Sequence, residues 1–352
     1  NRRRRAALER IPMLRLAING YGRIGRSILR ALYESPLRNE IAIVAINEIA
    51  DAGTVLHLTR YDSTHGRFDR EVILQGDKLC INEDQIQLLS ILDPTVLPWR
   101  ALAVDVVLEC SGALLARAQA EQHLQAGAGR VLGSAPGKDL DATLVYGVNE
   151  QMLKPEHRLI SNASCTTNCL APLCQTLDAA FGIESGLMTT IHAYTSDQRL
   201  NDALHDDLYR ARAAAQSMIP TKTGAAVAIG EVLPQLRGRL DGLAVRVPTL
   251  NVSLVDLTFT AQQAVTAPEV NDLMRQAAAN DQKGVLAYND QPLVSVDFNH
   301  SPFSCNFDGN HTRVMGRLVK VLAWYDNEWG FSNRMLDQAL IMGQAEALVV
   351  AA

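Results

Sequence analysis

The stretch Leu14-Arg-Leu-Ala-Ile-Asn-Gly-Tyr-Gly-Arg-Ile-Gly25 decides the fold. Residues 16–18 are an apolar run of strand length. They lead into Gly20, Gly22 and Gly25, and then into a helix with Ile24, Ile28, Leu29 and Leu32 on one face. G-x-G-x-x-G between a strand and a helix is a dinucleotide-binding pattern. Gly20 permits the tight turn, Gly22 lets a pyrophosphate approach the backbone, and Gly25 lets helix and strand pack closely. The first helical turn, with Arg23 and Ile24, then offers unpaired N–H groups to the anion. A second apolar run, 41–46, ends at Asn47-Glu48. A carboxylate there suits the adenosine ribose hydroxyls and repels an added phosphate, so Glu48 points to NAD as cofactor.

Outward from this motif, apolar runs of strand length alternate with amphipathic helical stretches up to about residue 163. Residues 104–108 and 130–132 read as strands, with a helix at 117–125 between them. This is the pattern of a doubly wound, mostly parallel sheet of Rossmann type. From about residue 186 longer strand-like runs appear at 187–191, 243–247, 251–260, 293–297 and 318–324, with a helix at 268–278. They predict an α+β catalytic domain with a mostly antiparallel sheet. The expected division is a nucleotide-binding domain over 13–164 and a catalytic domain over 165–328. No low-complexity linker separates them, so a tight interface is expected. A helix over 329–347 presents Phe331, Met335, Leu336 and Leu340 inward.

The chain has 352 residues, of which 47% are hydrophobic and 20% charged, enough for two domains with sizeable cores. A net charge of −5 gives no general electrostatic reason to bind nucleic acid or an anionic membrane. No apolar run approaches membrane-spanning length. Residues 1–12 carry four consecutive arginines and no apolar core, so they read as an unstructured extension rather than a secretory signal. The six cysteines, at 80, 110, 165, 169, 174 and 305, show no disulfide framework, and a reduced cytosol suits them. No His or Cys cluster completes a metal site around Cys165 and Cys169, and no metal is expected.

Residues 161–169 read Ser-Asn-Ala-Ser-Cys-Thr-Thr-Asn-Cys, followed by a helix over 166–181 with Leu170, Leu173, Leu177 and Phe181 on one face. A cysteine at a helix N-terminus lies among free N–H groups and the positive end of the dipole, which favours the thiolate. Cys165 is therefore the candidate nucleophile. His192, after the run 187–191, is the candidate base, and in its protonated form a partner for thiolate and alkoxide.

These segments together resemble one family. The motifs are residues 19–25, Tyr61-Asp-Ser-Thr-His-Gly66, Ser134-Ala-Pro136, 161–168, His192-Ala-Tyr-Thr195, Ile219-Pro-Thr-Lys-Thr-Gly-Ala-Ala226, Arg246-Val-Pro248 and Trp324-Tyr-Asp-Asn-Glu328. From about residue 13 to 342 the chain is similar to phosphorylating glyceraldehyde-3-phosphate dehydrogenases. The resemblance implies NAD-dependent oxidation of a phosphorylated aldehyde, with inorganic phosphate as second substrate, through a thioester on Cys165. It implies an attacking-phosphate site near Ser164, Arg210, Thr223 and Gly224, and a substrate-phosphate site near Thr195 and Arg246. Thr166 could serve either, and either Arg210 or Arg212 could point inward. Ser111 and Ser134 are implied beside the cofactor, and Asn327 at its nicotinamide amide. A cytoplasmic homotetramer is implied too, with residues 194–216 reaching a neighbour's cofactor site.

Four positions depart from the commonest family pattern: Glu48 for aspartate, Leu92 for an arginine beside adenine, Phe331 for a tyrosine, and Ala203-Leu204 for Leu-Pro. The last leaves some NADP use open, against Glu48. Glu48, Phe331 and residues 292–300 also resemble the erythrose-4-phosphate dehydrogenase subgroup, whereas Thr195 and residues 223–226 resemble the triose enzyme. A non-enzymatic binding or adhesin role is the alternative of another class; beyond the arginine-rich extension no sequence feature supports it.

Overall fold

The structure is a computed structural model that describes residues 13–350, with side chains through residue 344. The expectation for residues 1–12 lies outside the described residues. Strand Leu14–Asn19 turns at Gly20 into helix Arg23–Glu34, and strand Ile41–Asn47 returns beside Leu14–Asn19 in parallel. This βαβ unit is the centre of a nine-stranded sheet. Its spatial order is Ala142–Thr143, Leu159–Ser161, Arg130–Gly133, Val106–Glu109, Leu14–Asn19, Ile41–Asn47, Asp84–Leu89, Lys78–Ile81 and Val72–Gln75. The first seven strands are parallel, and the last two form an antiparallel edge. The chain order reverses between Leu14–Asn19 and Val106–Glu109, which makes the crevice at their C-terminal ends the ligand position of a doubly wound sheet.

The second sheet has seven strands, in the order Ile219–Lys222, Leu240–Val247, Ile183–Ala193, Ser253–Ala261, Leu318–Tyr325, Cys305–Met315 and Leu286–Asn289. Four of its pairings are antiparallel. Two are parallel, Ile183–Ala193 with Leu240–Val247 and Leu286–Asn289 with Cys305–Met315. Helices Cys165–Phe181, Ala225–Val232 and Ala267–Ala279 contribute Leu170, Leu173, Leu177, Ile229, Val270 and Met274 to the core against this sheet.

One expected strand is absent. Residues 293–297 alternate in polarity, yet Ser295–Phe298 is a 3-10 turn. The Asp297 carboxylate accepts from the Val294 N–H at 2.8 Å and closes the turn locally. Val294 and Val296 stay exposed, and only Phe298 is buried, stacked on Trp324 with ring centroids 5.5 Å apart. Alternation alone did not supply a partner strand.

Helix Trp329–Val350 returns to the first sheet. Phe331, Met335, Leu336, Ala339 and Met342 are buried in the core of the nucleotide-binding half, and Leu340 packs at its edge. Ion pairs also cross between the halves. Arg23 holds Asp62 and Glu328, and His65 Nε2 lies 3.1 Å from Glu328 Oε2. Among the described residues no helix is long and apolar enough to cross a membrane, and no cluster of His, Cys, Asp or Glu could hold a metal ion.

Candidate active site

The glycine motif is built for close approach. Gly20 has φ +88°, and a Cβ there would lie 2.5 Å from the Ser111 backbone. A Cβ on Gly25 would lie 2.4 Å from the Gly20 carbonyl oxygen. Both positions therefore require glycine. Gly22 is the N-cap of helix Arg23–Glu34 and faces open space. The N–H groups of Gly22, Arg23 and Ile24 have no partner among the described residues, as a helix N-terminus awaiting an anion would. Glu48 closes the far side: its carboxylate accepts from the Tyr21 N–H at 2.8 Å and the Ala50 N–H at 3.2 Å. Ser134 N–H donates to the Glu109 carbonyl at 2.9 Å, and Ser111 N–H to the Glu109 carboxylate at 2.7 Å. These residues fit a dinucleotide. The Arg23 guanidinium is engaged by Asp62 and Glu328, which leaves its backbone N–H as the group it offers to the turn.

Cys165 is the first residue of helix Cys165–Phe181. Ser164 is its N-cap, with Oγ accepting from the Thr167 N–H at 3.1 Å. Cys165 packs against the cores of both halves, which puts it at their boundary. Its Sγ lies 3.5 Å from His192 Nε2. His192 is the penultimate residue of strand Ile183–Ala193, and the parallel register pairs it with Arg246. Arg246 Nη1 accordingly lies 2.8 Å from His192 Nδ1 and donates to the Ala193 carbonyl at 3.1 Å. That carbonyl also lies 2.6 Å from Nδ1. Two neutral tautomers meet this pair differently: a proton on Nδ1, donated to the carbonyl, leaves Nε2 bare towards the sulfur, whereas an Nδ1 that accepts from the donor-only guanidinium leaves the proton on Nε2.

The electrostatics correct one expectation. Burial pushes the Cys165 thiol above its ordinary value, and the Arg246 charge and local hydrogen bonds only partly oppose it. Burial, joined by Arg246, holds the His192 imidazole down to about 3, against a weaker pull from the Ala193 carbonyl. Both shifts favour the uncharged forms, thiol and imidazole. The helix N-terminus alone does not make a standing thiolate, because desolvation of a buried charge outweighs it.

The anion-site candidates fall into two groups. Arg246 is half-buried beside His192, with its Nε buried and unpartnered among the described residues. Thr195 is exposed just beyond the strand end, its N–H donating to Gln198 Oε1 at 2.9 Å. Thr223 Oγ1 accepts from the Ala225 N–H at 3.2 Å, and Gly224 is the N-cap of helix Ala225–Val232 with open space around it. Arg210 points inward, donating to Thr221 Oγ1 at 2.8 Å and Asp197 Oδ2 at 2.6 Å; Arg212 pairs with Asp202 on the outside. Thr166 differs from expectation. Its hydroxyl is buried 2.9 Å from the Tyr325 hydroxyl, which also lies 2.7 Å from Thr190 Oγ1.

Tyr325 is a site residue that sequence reasoning passed over. Its ring stands edge-on to His192 at 5.9 Å, and its hydroxyl ties helix Cys165–Phe181 to strand Ile183–Ala193. Ser253 is another: its hydroxyl accepts from the Ala193 N–H at 3.0 Å and donates to Asn327 Oδ1 at 2.7 Å, which turns the Asn327 amide NH2 outward. Strand alternation around the Trp324-Tyr-Asp-Asn-Glu328 motif was the available signal for Tyr325. Nothing in the sequence singled out Ser253.

Residues 14–117 match the family pattern described as the NAD binding domain of glyceraldehyde 3-phosphate dehydrogenase, and residues 164–327 match that of its C-terminal domain. The chain is 60% identical over 332 residues to a glyceraldehyde-3-phosphate dehydrogenase of Pseudomonas aeruginosa, covering 94% of this chain and 99% of that one. Over 94% of its length it is 58% identical to the chromosomal enzyme of that name from Cupriavidus necator, and 54% identical to that from Xanthobacter flavus, each with 99% of the relative covered. With a strand–glycine turn–helix shaped for a dinucleotide and a cysteine–histidine pair at the boundary of the two halves, this chain belongs to the glyceraldehyde-3-phosphate dehydrogenase family.

Proposed function

We propose that this chain oxidises D-glyceraldehyde 3-phosphate, with inorganic phosphate, to 1,3-bisphosphoglycerate, using NAD and the Cys165–His192 pair. The observation that carries the reading is the 3.5 Å approach of Cys165 Sγ to His192 Nε2. Neutral imidazole is the form that accepts a proton, and burial keeps it neutral. As Sγ bonds to the aldehyde carbon, its proton passes to Nε2, and the carbonyl oxygen becomes an alkoxide that the new imidazolium and the Cys165 N–H stabilise. The adduct is a hemithioacetal. Bound NAD supplies the hydride acceptor. With the hydride gone, the carbon becomes a thioester and His192 retains the proton. A phosphate oxygen then attacks the thioester, Cys165 leaves as thiolate, and His192 returns its proton to the sulfur.

Gly20, Gly22, Gly25 and the amides of Arg23 and Ile24 would hold the pyrophosphate, Glu48 the adenosine ribose, Ser111 and Ser134 the neighbouring segment, and Asn327 the nicotinamide amide. Arg246 and Thr195 would hold the substrate phosphate; Ser164, Arg210, Thr223 and Gly224 would hold the attacking one. Guanidinium forks, hydroxyls and helix N-termini suit phosphate oxygens. Thr166 contributes through Tyr325 and its position in the helix. A cytoplasmic homotetramer belongs to the same reading. Exposed Leu200, Leu204, Leu208 and Met218 give the 194–216 region and its border an apolar surface for a neighbour.

The test is Cys165→Ser, assayed with the triose phosphate and with erythrose 4-phosphate, each with and without phosphate. Turnover falls by at least about a thousandfold while NAD affinity is kept. Undiminished activity would remove Cys165 from the reaction. Phosphate-independent acid formation from the tetrose by the unmodified enzyme would overturn the substrate.

A further inference from the structure

A buried carboxylate stands at the switch point of the nucleotide-binding sheet, and neither the glycine motif nor the cysteine chemistry uses it. Glu109 ends strand Val106–Glu109, opposite Asn19 in the parallel register, and is 1% exposed. Its Oε2 accepts from Asn19 Nδ2 at 2.7 Å and lies 3.0 Å from His123 Nε2. Its Oε1 accepts from the Ser111 N–H at 2.7 Å and from the Ser111 hydroxyl. Behind it, the Trp99 indole N–H donates to His123 Nδ1 at 3.0 Å. Trp99 has only a donor to offer, so Nδ1 is the acceptor, and the imidazole proton sits on Nε2, aimed at Glu109. Asn19 in turn accepts from Asn47 Nδ2 at 2.8 Å, and Asn47 is locked to both backbone groups of Ile91. Every member's donors and acceptors agree in direction, so the network has one arrangement.

Two segments at the dinucleotide turn hang from this carboxylate. One is Asn19-Gly20, where the chain takes its positive φ. The other is the Ser111 turn, whose backbone touches the space a Gly20 side chain would fill. We propose that Glu109 is the positioning residue of the NAD site: fixed from behind by His123 and Trp99, it sets the height of the Ser111 turn against Gly20 and so the width of the cofactor cleft. The inference rests on the NAD-site reading above but not on the roles of Cys165 and His192.

The sign of one substitution separates positioning from simple electrostatics. Glu109 is a negative charge near where a dianionic pyrophosphate docks. On Coulomb grounds Glu109→Gln would tighten NAD binding. A positioning role requires the opposite, because the amide presents a donor where only acceptors fit, against Asn19 and His123 or against the Ser111 N–H. NAD affinity is measured on the full chain by calorimetry without aldehyde, beside KM and kcat. We expect Glu109→Gln to weaken NAD binding and raise its KM about tenfold, with kcat changed less than about twofold. His123 gives an independent pair of variants remote from the cofactor. His123→Gln places an N–H near Nε2 and keeps NAD affinity within about twofold; His123→Leu keeps bulk without a donor and loses about fivefold. Tighter or unchanged NAD binding by folded Glu109→Gln overturns the proposal, as does equal affinity of the two His123 variants. A fall in kcat at unchanged NAD affinity would also overturn it. Failure of the Cys165 reading would leave these binding measurements untouched.

Discussion

Replacing Arg246 by methionine removes the positive charge that contacts His192 and tests how the Cys165–His192 pair is held neutral. The guanidinium Nη1 is 2.8 Å from Nδ1, and its charge centre lies about 4 Å away, where two unit charges interact by about 4 kcal/mol at an effective dielectric of 20. That is a ceiling of about three pKa units. Burial is the larger cause of the fall from 6.5 to about 3, so Arg246 supplies less than half of the downward push, which the Ala193 carbonyl partly opposes. A rise of one to two units, or about 1.4–2.7 kcal/mol, is therefore expected on Arg246→Met. The imidazole then titrates at about 4–5 rather than 3, still below an exposed histidine because desolvation is untouched. The thiol moves up as well, since Arg246 is the charge that favours the thiolate.

The assay is a pH titration of the imidazole carbon shift in histidine-labelled protein, with His192→Asn assigning the resonance. The unmodified protein shows no His192 transition above pH 5, and the variant shows one between about pH 4 and 5. A His192 transition near pH 6.5 in the unmodified protein would refute the buried neutral pair. An unmoved transition in the variant would show that the Arg246 charge does not reach the ring. The same downward shift links to stability. His192 binds its proton less readily folded than unfolded, so its neutral burial is fully tolerated above pH 6.5 and becomes costly as pH falls towards 3.

Two further perturbations follow from contacts between the halves and within the turn. Gly20→Ala forces a Cβ to within 2.5 Å of the Ser111 backbone at φ +88°; we expect at least about 2 kcal/mol of destabilisation and NAD affinity lowered tenfold or more, read by thermal unfolding and calorimetry. Glu328→Gln leaves Arg23 with one carboxylate instead of two and weakens the His65 contact, costing about 2–4 kcal/mol by denaturant unfolding. Burial raises the Glu328 pKa, but Arg23 and His65 outweigh it and hold it below the usual glutamate range. Its stabilisation is thus present above about pH 4.5 and lost as pH falls through the folded value, a dependence the glutamine variant should lack.

The nucleotide-binding half was legible because its signals are local. Strand, turn and helix from residue 14 to residue 34 lie next to one another in sequence, and the requirement at Gly25 is set within a few residues, by the Gly20 carbonyl; the Ser111 backbone that crowds Gly20 is the distant exception. Helix Arg117–Gln125 and strand Ile41–Asn47 fell close to their expected limits for the same reason. The second sheet was legible in its long strands and obscure in its short ones. Ile219–Lys222 and Leu286–Asn289 are four residues each, with too few alternations to mark a strand, and both gain their hydrogen bonds from distant partners. The false strand at 293–297 is the converse case: a local pattern without a distant partner.

The same division runs through the site, between what the local sequence favours at the sulfur and what distant strands impose on it. Helix capping at Ser164 and the position of Cys165 are local, and they argue for a thiolate. What decides protonation is the company brought by other strands: Tyr325 from Leu318–Tyr325, His192 from Ile183–Ala193 and Arg246 from Leu240–Val247. Their packing removes water from the sulfur and the ring together. For each group that favours the uncharged form, although the helix N-terminus and Arg246 both pull the thiol towards ionisation. In the proposed reaction, a thiol that stays protonated until an aldehyde lies against it, with a neutral imidazole 3.5 Å away, would ionise along the reaction path rather than before it. The helix dipole then acts on the charge that develops during attack, where stabilisation lowers the barrier instead of the ground state.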